Sequence, residues 1–244
     1  MKYKLKIIIF LILFSFKAYA QFNMEVRDDG YMKLYNHIQN FYGLDDEIVN
    51  GYQYIFPSKK INGNPFLKDE KWNKATIFIN SKSFSDYKIK YDLVNNIIII
   101  NVISDKGYDR IIGLNKFNVD SFSLDSLTFV NSKVLLPKET MSIFYQKIYK
   151  GKISLYRKYN KRFINLYDEM SPNGKFSTLK NNLFLLKNNE IHNINNIYTF
   201  LHLFDKIYRK EIKLFINNHN LKLKTASDNQ LNILIGFCNT LISK

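Results

Sequence analysis

The part of this chain that most constrains its fold is the stretch 87–103, where a two-residue alternation runs into an unbroken apolar segment. Apolar and polar residues alternate along 87–93, which is the pattern of a strand with one buried face. Asn95 and Asn96 tolerate positive φ angles and can form a tight turn. The β-branched run 97–100 favours a strand covered on both faces. We therefore predict a β-hairpin at the centre of a sheet.

Short β-prone runs recur about every ten residues over much of the remaining chain, and turn signals such as Asn62-Gly63 and Ser171-Pro172 separate them. This spacing indicates an antiparallel sandwich or barrel-like sheet rather than βαβ units. The further candidate strands are 75–79, 110–114, 119–124, 127–130, 143–149, 152–159, 162–167 and a pair within 175–187.

The last fifty residues change to a helical period. Apolar residues repeat every three or four positions over 197–216, and the polar run 217–220 ends this pattern. Ser227 and Gln230 form a capping-box signature that introduces a second helix, in which Cys238 is expected to be a buried structural thiol. The predicted fold class is α+β, with an antiparallel β-rich body over 46–190 and a C-terminal pair of amphipathic helices within 191–244.

The first twenty residues have the pattern of a cleavable signal peptide. Three lysines precede an apolar run at 7–16, and Ala18-Tyr19-Ala20 follows as a small-x-small cleavage site. About ten apolar residues fall short of the roughly twenty that span a bilayer as a helix. We therefore expect export to the periplasm, the periphery of an outer membrane or the medium. Residues 21–45 are expected to form a helical or irregular segment before the β-rich domain.

The positive charge of the chain is concentrated in its second half. Residues 21–130 contain 13 basic and 14 acidic residues, whereas residues 131–244 contain 19 basic and 7 acidic residues. Such asymmetry is typical of an anion-binding face, but an ordinary solvated surface of a lysine-rich chain gives the same count.

Four short motifs carry a resemblance. They lie at 50–54, 63–66, 90–92 and 149–152, and they read NG-x-x-Y, G-x-P-[YF], KYD and Y-x-G-K. In this arrangement, over roughly residues 46–240, the chain resembles uncharacterised exported proteins of the Bacteroidetes type. The resemblance implies a location in the cell envelope or outside the cell of a bacterium with an outer membrane. It implies no activity and no catalytic residues.

The residues that carry most chemistry are scattered. The four histidines, His37, His192, His202 and His219, lack the spacing that places two imidazoles on one helical face, so we predict no metal site and no cofactor. Four acids could supply the carboxylate pair of a glycosidase, but sequence does not give their separations. We assign no catalytic residue, and an envelope hydrolase stays open as an alternative. These acids are Asp92, Asp109, Glu139 and Asp168.

The stretch 145–167 interleaves cations with tyrosines and is the candidate ligand-binding surface. Such interleaving suits phosphate contacts and stacking, but export makes nucleic acid an unexpected partner. Lipid headgroups, lipopolysaccharide phosphates or acidic glycans meet the same electrostatic requirement, and another envelope protein is a further candidate partner. The purely structural alternative is a hairpin with buried tyrosines and solvated lysines. The candidate residues are Lys147, Lys150, Lys152, Tyr156, Arg157, Lys158, Lys161 and Arg162.

The function expected from the sequence is that of an exported cell-envelope protein with a non-enzymatic binding or structural role. An anionic glycan- or lipid-headgroup-binding module that uses 145–167 is one alternative. An envelope hydrolase and a small outer-membrane β-barrel are the others.

Overall fold

The computed structural model describes residues 46–103, 108–165, 167 and 169–243, so the predictions for residues 1–45 lie outside the described part of the chain. In chain order the elements are α1 (Asp46–Val49), β1 (Gly51–Gln53), β2 (Asn73–Ile79), β3 (Lys82–Asp92), β4 (Ile97–Ile103), β5 (Asp109–Leu114), β6 (Val119–Leu124), β7 (Leu127–Asn131), α2 (Ser132–Leu135), β8 (Phe144–Tyr149), β9 (Ser154–Asn160), β10 (Phe163–Ile164), β11 (Lys175–Phe176), β12 (Lys180–Lys187), β13 (Glu190–Ile194), α3 (Ile197–His202), α4 (Lys206–Asn218) and α5 (Asp228–Leu241).

Eleven of these strands form one antiparallel sheet in the order β1-β5-β4-β3-β2-β6-β7-β8-β9-β12-β13. Two meanders, β2 to β5 and β6 to β9, extend in opposite directions from the β2–β6 pair. Strands β10 and β11 form a separate two-stranded pair. Of the predicted strand 162–167, only Phe163–Ile164 is a strand. The described sheet is open, with β1 and β13 at its edges. The predicted α+β class with an antiparallel β-rich body is confirmed.

The predicted hairpin is β3–β4, with Asp92 opposite Ile97. Its turn differs from the two-residue turn expected at Asn95-Asn96. Four residues connect the strands, and of the two asparagines Asn96 has a positive φ, of 56°. The longer turn forms because the Asp92 carboxylate accepts hydrogen bonds from the backbone N–H groups of Val94 at 2.8 Å and Asn95 at 3.0 Å.

The sheet bends strongly enough to enclose a core on its inner face. The ring of Tyr91 on β3 lies 6.0 Å from that of Phe144 on β8. Strands β2, β6 and β7 lie between them, so a flat sheet would separate β3 and β8 by about 19 Å. Phe122 and Phe129 fill the space between these rings, at 5.2 and 5.6 Å from Tyr91. Curvature of the sheet therefore buries this aromatic core.

The opposite face of β3, β4 and β5, here called the outer face, is covered by the 54–72 segment, the connection between β1 and β2. Tyr54 and Phe66 of this segment form a buried cluster with Ile99 of β4, and Trp72 packs against it. The predicted two-sided burial of β4 is confirmed, since Ile98, Ile99 and Ile100 are fully buried.

The C-terminal helices pack on β8, β9 and β12. The helical segment is confirmed with one difference, because the helix expected over 197–216 is two helices, α3 and α4. The chain turns between them so that Phe200 and Phe204 are both buried, and Arg209 donates to the Phe204 carbonyl at 2.8 Å. The predicted capping box starts α5, and Cys238 is fully buried as predicted. Among the described residues, no helix is both long and apolar enough to span a membrane.

Candidate functional site

The structure divides the predicted basic-aromatic site between two faces of the sheet. Lys147 and Tyr156 are directly opposite in the β8–β9 pair, and Lys158 follows two residues later, so these three share a face. Arg157 lies on the other face, under the helices. Its guanidinium forms an ion pair with Asp228, the first residue of α5, and its side chain is only 12 % exposed.

The remaining predicted residues lie outside these strands, in loops. Lys152 donates to the carbonyl of Ile242 at 3.0 Å, at the carboxyl end of α5. Lys161 donates to the carbonyl of Asn64 at 3.0 Å, and burial lowers the pKa of its ammonium group. Lys150 and Arg162 are exposed. The eight residues therefore do not converge. Lys147 is exposed and Lys158 is half-buried, whereas Tyr156 is buried, so the binding role of this face stays a prediction.

A cavity of about 980 Å³ lies between the 54–72 segment and the outer face of the sheet. Strands β10 and β11 help to enclose it, because Asn62 of the segment bonds to Gly174 and Phe176. This volume is at the upper end of the range for small-molecule pockets. The cavity is lined by Phe56, Pro57, Ser58, Lys59, Lys60, Ile61, Asn62, Gly63, Asn64, Pro65, Phe66, Glu70, Trp72, Lys90, Asn101, Asp109, Ile111, Met170 and Phe176.

Lys90 provides the buried cation of this cavity, which the exposed Lys59 and Lys60 also line. It lies on β3 opposite Ile99, so its side chain is on the outer face. Its ammonium nitrogen lies 4.9, 5.0 and 4.8 Å from the ring centroids of Phe56, Phe66 and Trp72. Phe56 meets the other two rings edge to face. The three rings thus form an aromatic cage, and each ring attracts the cation through its π face.

The ammonium group of Lys90 has neither a hydrogen-bond nor an ion-pair partner among the described residues, and the side chain is 92 % buried, with 8 % exposed. Burial lowers its pKa, while the negative charges of Glu70 and Asp69 act in the opposite direction. These carboxylates lie beyond ion-pair distance. The cavity therefore contains a partly desolvated positive charge that no carboxylate neutralises by direct contact.

Asn101 adds an unsatisfied acceptor to the same face. It follows Ile99 by two residues on β4, which places it diagonally across from Lys90. Its side-chain oxygen is buried and has no hydrogen-bond partner. Most buried polar atoms in folded proteins are paired, so an orphaned oxygen in a cavity wall is an uncommon feature.

Asp92 holds the 54–72 segment over the cavity. Its carboxylate is fully buried and accepts hydrogen bonds from the Tyr54 hydroxyl at 2.7 Å and the Asn95 amide at 2.8 Å. The backbone of Pro65 and Leu67 adds two bonds to β3 and its turn. Burial and the bond to Asp92 raise the pKa of Tyr54. Asp92 is therefore occupied by structural contacts and is not available as the glycosidase acid that the sequence left open.

The sequence does not reveal Lys90 as a site residue, because it stands at a polar position of a strand with one buried face, and Asn101 follows the apolar run 97–100 without any motif of its own. A signal was nevertheless present in the short motifs. Tyr54, Phe66, Lys90 and Asp92 belong to three of the four motifs. Phe66 and Lys90 line this cavity, and Tyr54 and Asp92 form the hydrogen bond that holds the 54–72 segment over it. Of the other candidate acids, Asp109 lines the cavity and Glu139 does not. Asp168 lies outside the described residues.

No group of three or more acidic, histidine or cysteine side chains in the described part of the chain is arranged to hold a metal ion. No protein-family model, curated protein or solved structure matches this chain. Any functional conclusion therefore depends on the residues themselves.

Proposed function

We propose that this chain is an exported, non-enzymatic binding protein of the cell envelope that takes a small ligand into the cavity over Lys90. The pattern of residues 1–20 supports export. The observation that supports binding is that one wall of a large cavity carries both a partly desolvated, unneutralised ammonium and an amide oxygen without a hydrogen-bond partner.

Energetics favour a ligand over a purely structural role for Lys90. Three cation–π contacts stabilise the ammonium by about 0.5–2 kcal/mol each, but they leave its hydrogen-bonding capacity unused. The buried Asn101 oxygen, which has no partner, costs about 1–3 kcal/mol, whereas the Lys90 ammonium keeps some contact with solvent and costs less than a sealed charge would. An incoming ligand that pairs with Lys90 and Asn101 would recover this free energy as affinity.

The chain contains its own reporter for the test. Trp72 is its only tryptophan and lies on the cavity wall, so intrinsic tryptophan fluorescence reports on this site alone. We would titrate the purified protein with single-ring compounds that contain no indole: hippurate, hippuramide, phenyl phosphate and 2-phenylethanol. We expect a saturable change in Trp72 emission with at least one compound at millimolar concentration or below.

The matched variants are Lys90→Met and Lys88→Met. Lys88 lies two residues away on the same face of β3 but is exposed, so it controls for loss of one positive charge. We expect Lys90→Met to change the affinity for the compound that binds and Lys88→Met to leave it unaltered. A flat emission signal with all four compounds would contradict the proposal.

A second candidate is binding of an anionic envelope component, such as a lipid headgroup, lipopolysaccharide or acidic glycan, by the face that contains Lys147 and Lys158. The favouring observation is an aromatic cluster beside these lysines, in which Tyr145 lies 6.4 Å from Tyr156 and 5.2 Å from Phe184. Both tyrosine rings are buried, so the contact with an anionic surface would come from the two lysines.

Fractionation of cells tests this candidate. We expect membrane association that salt releases, and we expect Lys147→Glu with Lys158→Glu to abolish it. The control pair Lys206→Glu with Lys210→Glu changes the charge equally at exposed positions of α4. Equal loss with both pairs, or release by detergent alone, would argue against a specific surface.

A further inference from the structure

We infer that the ligand of the Lys90 cavity is a monocarboxylate whose flat apolar body carries an N–H or O–H donor beside the acid. This inference rests on the proposed function and specifies its chemistry. It follows from three separate features of the cavity wall, namely its buried cation Lys90, the unpartnered acceptor of Asn101 and its aromatic rings.

The charge balance selects a single negative charge. Lys90 is the cation buried in the cavity wall, whereas Lys59 and Lys60 line it as exposed side chains that keep most of their hydration. One ammonium neutralises one anionic charge. A phosphate monoester dianion would retain a second charge close to Glu70 and Asp109, which also line the cavity, and burial of that charge is unfavourable.

Asn101 selects a donor on the ligand. An amide oxygen accepts hydrogen bonds and cannot donate them. This oxygen is unpartnered but buried within the wall, so a ligand N–H or O–H group reaches it only when the neighbouring side chains shift, and it then gains a bond without breaking one inside the protein. Its place diagonal to Lys90 sets a separation of about 7–8 Å between the two Cα positions, so the donor belongs near the carboxylate on the same molecule.

The rings select the body of the ligand. Phe56 is 40 % exposed and Trp72 is half-buried, so both present ring surface to the cavity as well as to the ammonium. Flat apolar groups pack on such rings, and aromatic walls with a few polar groups are typical of small-molecule sites.

Compounds that differ by one group test each feature by Trp72 fluorescence. Hippurate has a carboxylate, an adjacent amide N–H and a phenyl ring. Hippuramide removes the charge, benzoyloxyacetate replaces the N–H by an ester oxygen, and phenyl phosphate supplies a dianion. N-acetyl-L-phenylalanine and its amide repeat the charge comparison on a second scaffold.

We expect each acid to bind about 10- to 150-fold more tightly than its amide, as loss of a charged hydrogen bond implies. We expect hippurate to bind about 2- to 10-fold more tightly than benzoyloxyacetate. Lys90→Met should abolish the first preference, and Asn101→Leu should abolish the second. Lys88→Met should retain both.

The results distinguish failure of the proposed ligand chemistry from failure of the proposed binding site. Equal binding of acid and amide, or tighter binding of phenyl phosphate, would overturn the carboxylate assignment while the cavity remained a binding site. Equal binding of hippurate and benzoyloxyacetate would overturn the role of Asn101. If none of the compounds, neutral ones included, changes Trp72 emission, the proposed function itself fails. The comparisons among compounds use the unmutated protein, so they do not depend on whether a variant folds.

Discussion

The hydrogen bond between Tyr54 and Asp92 should couple the 54–72 segment energetically to the central hairpin. The hydroxyl and the carboxylate oxygen are 2.7 Å apart, and Asp92 is fully buried while Tyr54 is 8 % exposed. This is the only side-chain contact of Asp92 with that segment among the described hydrogen bonds; its other acceptor bonds serve the turn at Val94 and Asn95. A double-mutant cycle of Tyr54→Phe and Asp92→Asn isolates it.

The magnitudes follow from what each change leaves behind. Tyr54→Phe removes one hydrogen bond to a charged group, which should lower the free energy of unfolding by about 1.5–3 kcal/mol. Asp92→Asn keeps an oxygen for the two backbone N–H groups but turns an NH₂ group toward Tyr54 and Asn95. We expect a loss of about 3–5 kcal/mol, as for breaking other buried charged contacts. The double variant should lose about 1–2 kcal/mol less than the sum of the single losses.

Urea unfolding followed by two probes provides the assay. Far-ultraviolet circular dichroism reports on the whole sheet, whereas Trp72 emission reports on the 54–72 segment. Tyr91→Phe serves as a control, because its hydroxyl bonds to Asn96 at 2.8 Å and does not contact the segment. If the two losses add to within about 0.5 kcal/mol, the bond contributes no coupling and Asp92 stabilises the turn alone.

Four further changes have defined outcomes. Burial and its hydrogen bond raise the pKa of Tyr54, so above pH 10 the unfolded chain loses a proton that the folded chain keeps, and Tyr54 contributes a fall in stability of up to about 1.4 kcal/mol per pH unit. Burial raises the pKa of Tyr91 as well, so Tyr54→Phe should make the decline in urea midpoints shallower without removing it. Gly151→Ala should lower the free energy of unfolding by about 1–3 kcal/mol, since its Cβ would stand 2.8 Å from Asn239 Oδ1. Gly236 lies inside α5, and a Cβ added there would be 3.6 Å from its nearest neighbour, so Gly236→Ala should raise the free energy of unfolding by about 1 kcal/mol. Equal effects of the two glycine substitutions would refute the steric argument. Asn101→Leu should raise the melting temperature by removing a buried orphan acceptor, and a lower melting temperature would mean that its oxygen is satisfied.

Local sequence patterns were sufficient to predict those elements whose defining residues lie within a few positions of one another. The alternation of 87–93 and the apolar run 97–100 are properties of consecutive residues, so β3 and β4 could be predicted from them. Ser227 and Gln230 are three residues apart, and their capping box forms as predicted. The two-residue turn was wrong because a side chain, Asp92, competes for its backbone N–H groups.

The basic-aromatic stretch failed to predict a surface because composition does not give strand register. Lys147 and Arg157 are both cationic, but one residue of offset in the β8–β9 pairing places them on opposite faces. The C-terminal helices cover the face on which Arg157 lies, and Asp228 of α5 forms an ion pair with the Arg157 guanidinium. Cations that are neighbours in sequence thus have different environments.

Sequence alone determined that this chain forms an antiparallel sheet followed by helices. Apolar residues repeat every two positions in the strands and every three or four in the helices, and both repeats can be read from consecutive residues. Tertiary structure alone decided where a ligand site could exist. Lys90 stands at a polar position of a strand and would face water on an isolated hairpin. The 54–72 segment, held by Tyr54 and Asp92, covers that face with Phe56, Phe66 and Trp72. A contact between residues about 20 to 40 positions apart therefore converts a solvated lysine into a partly desolvated cation in a cavity, and no local pattern encodes that contact.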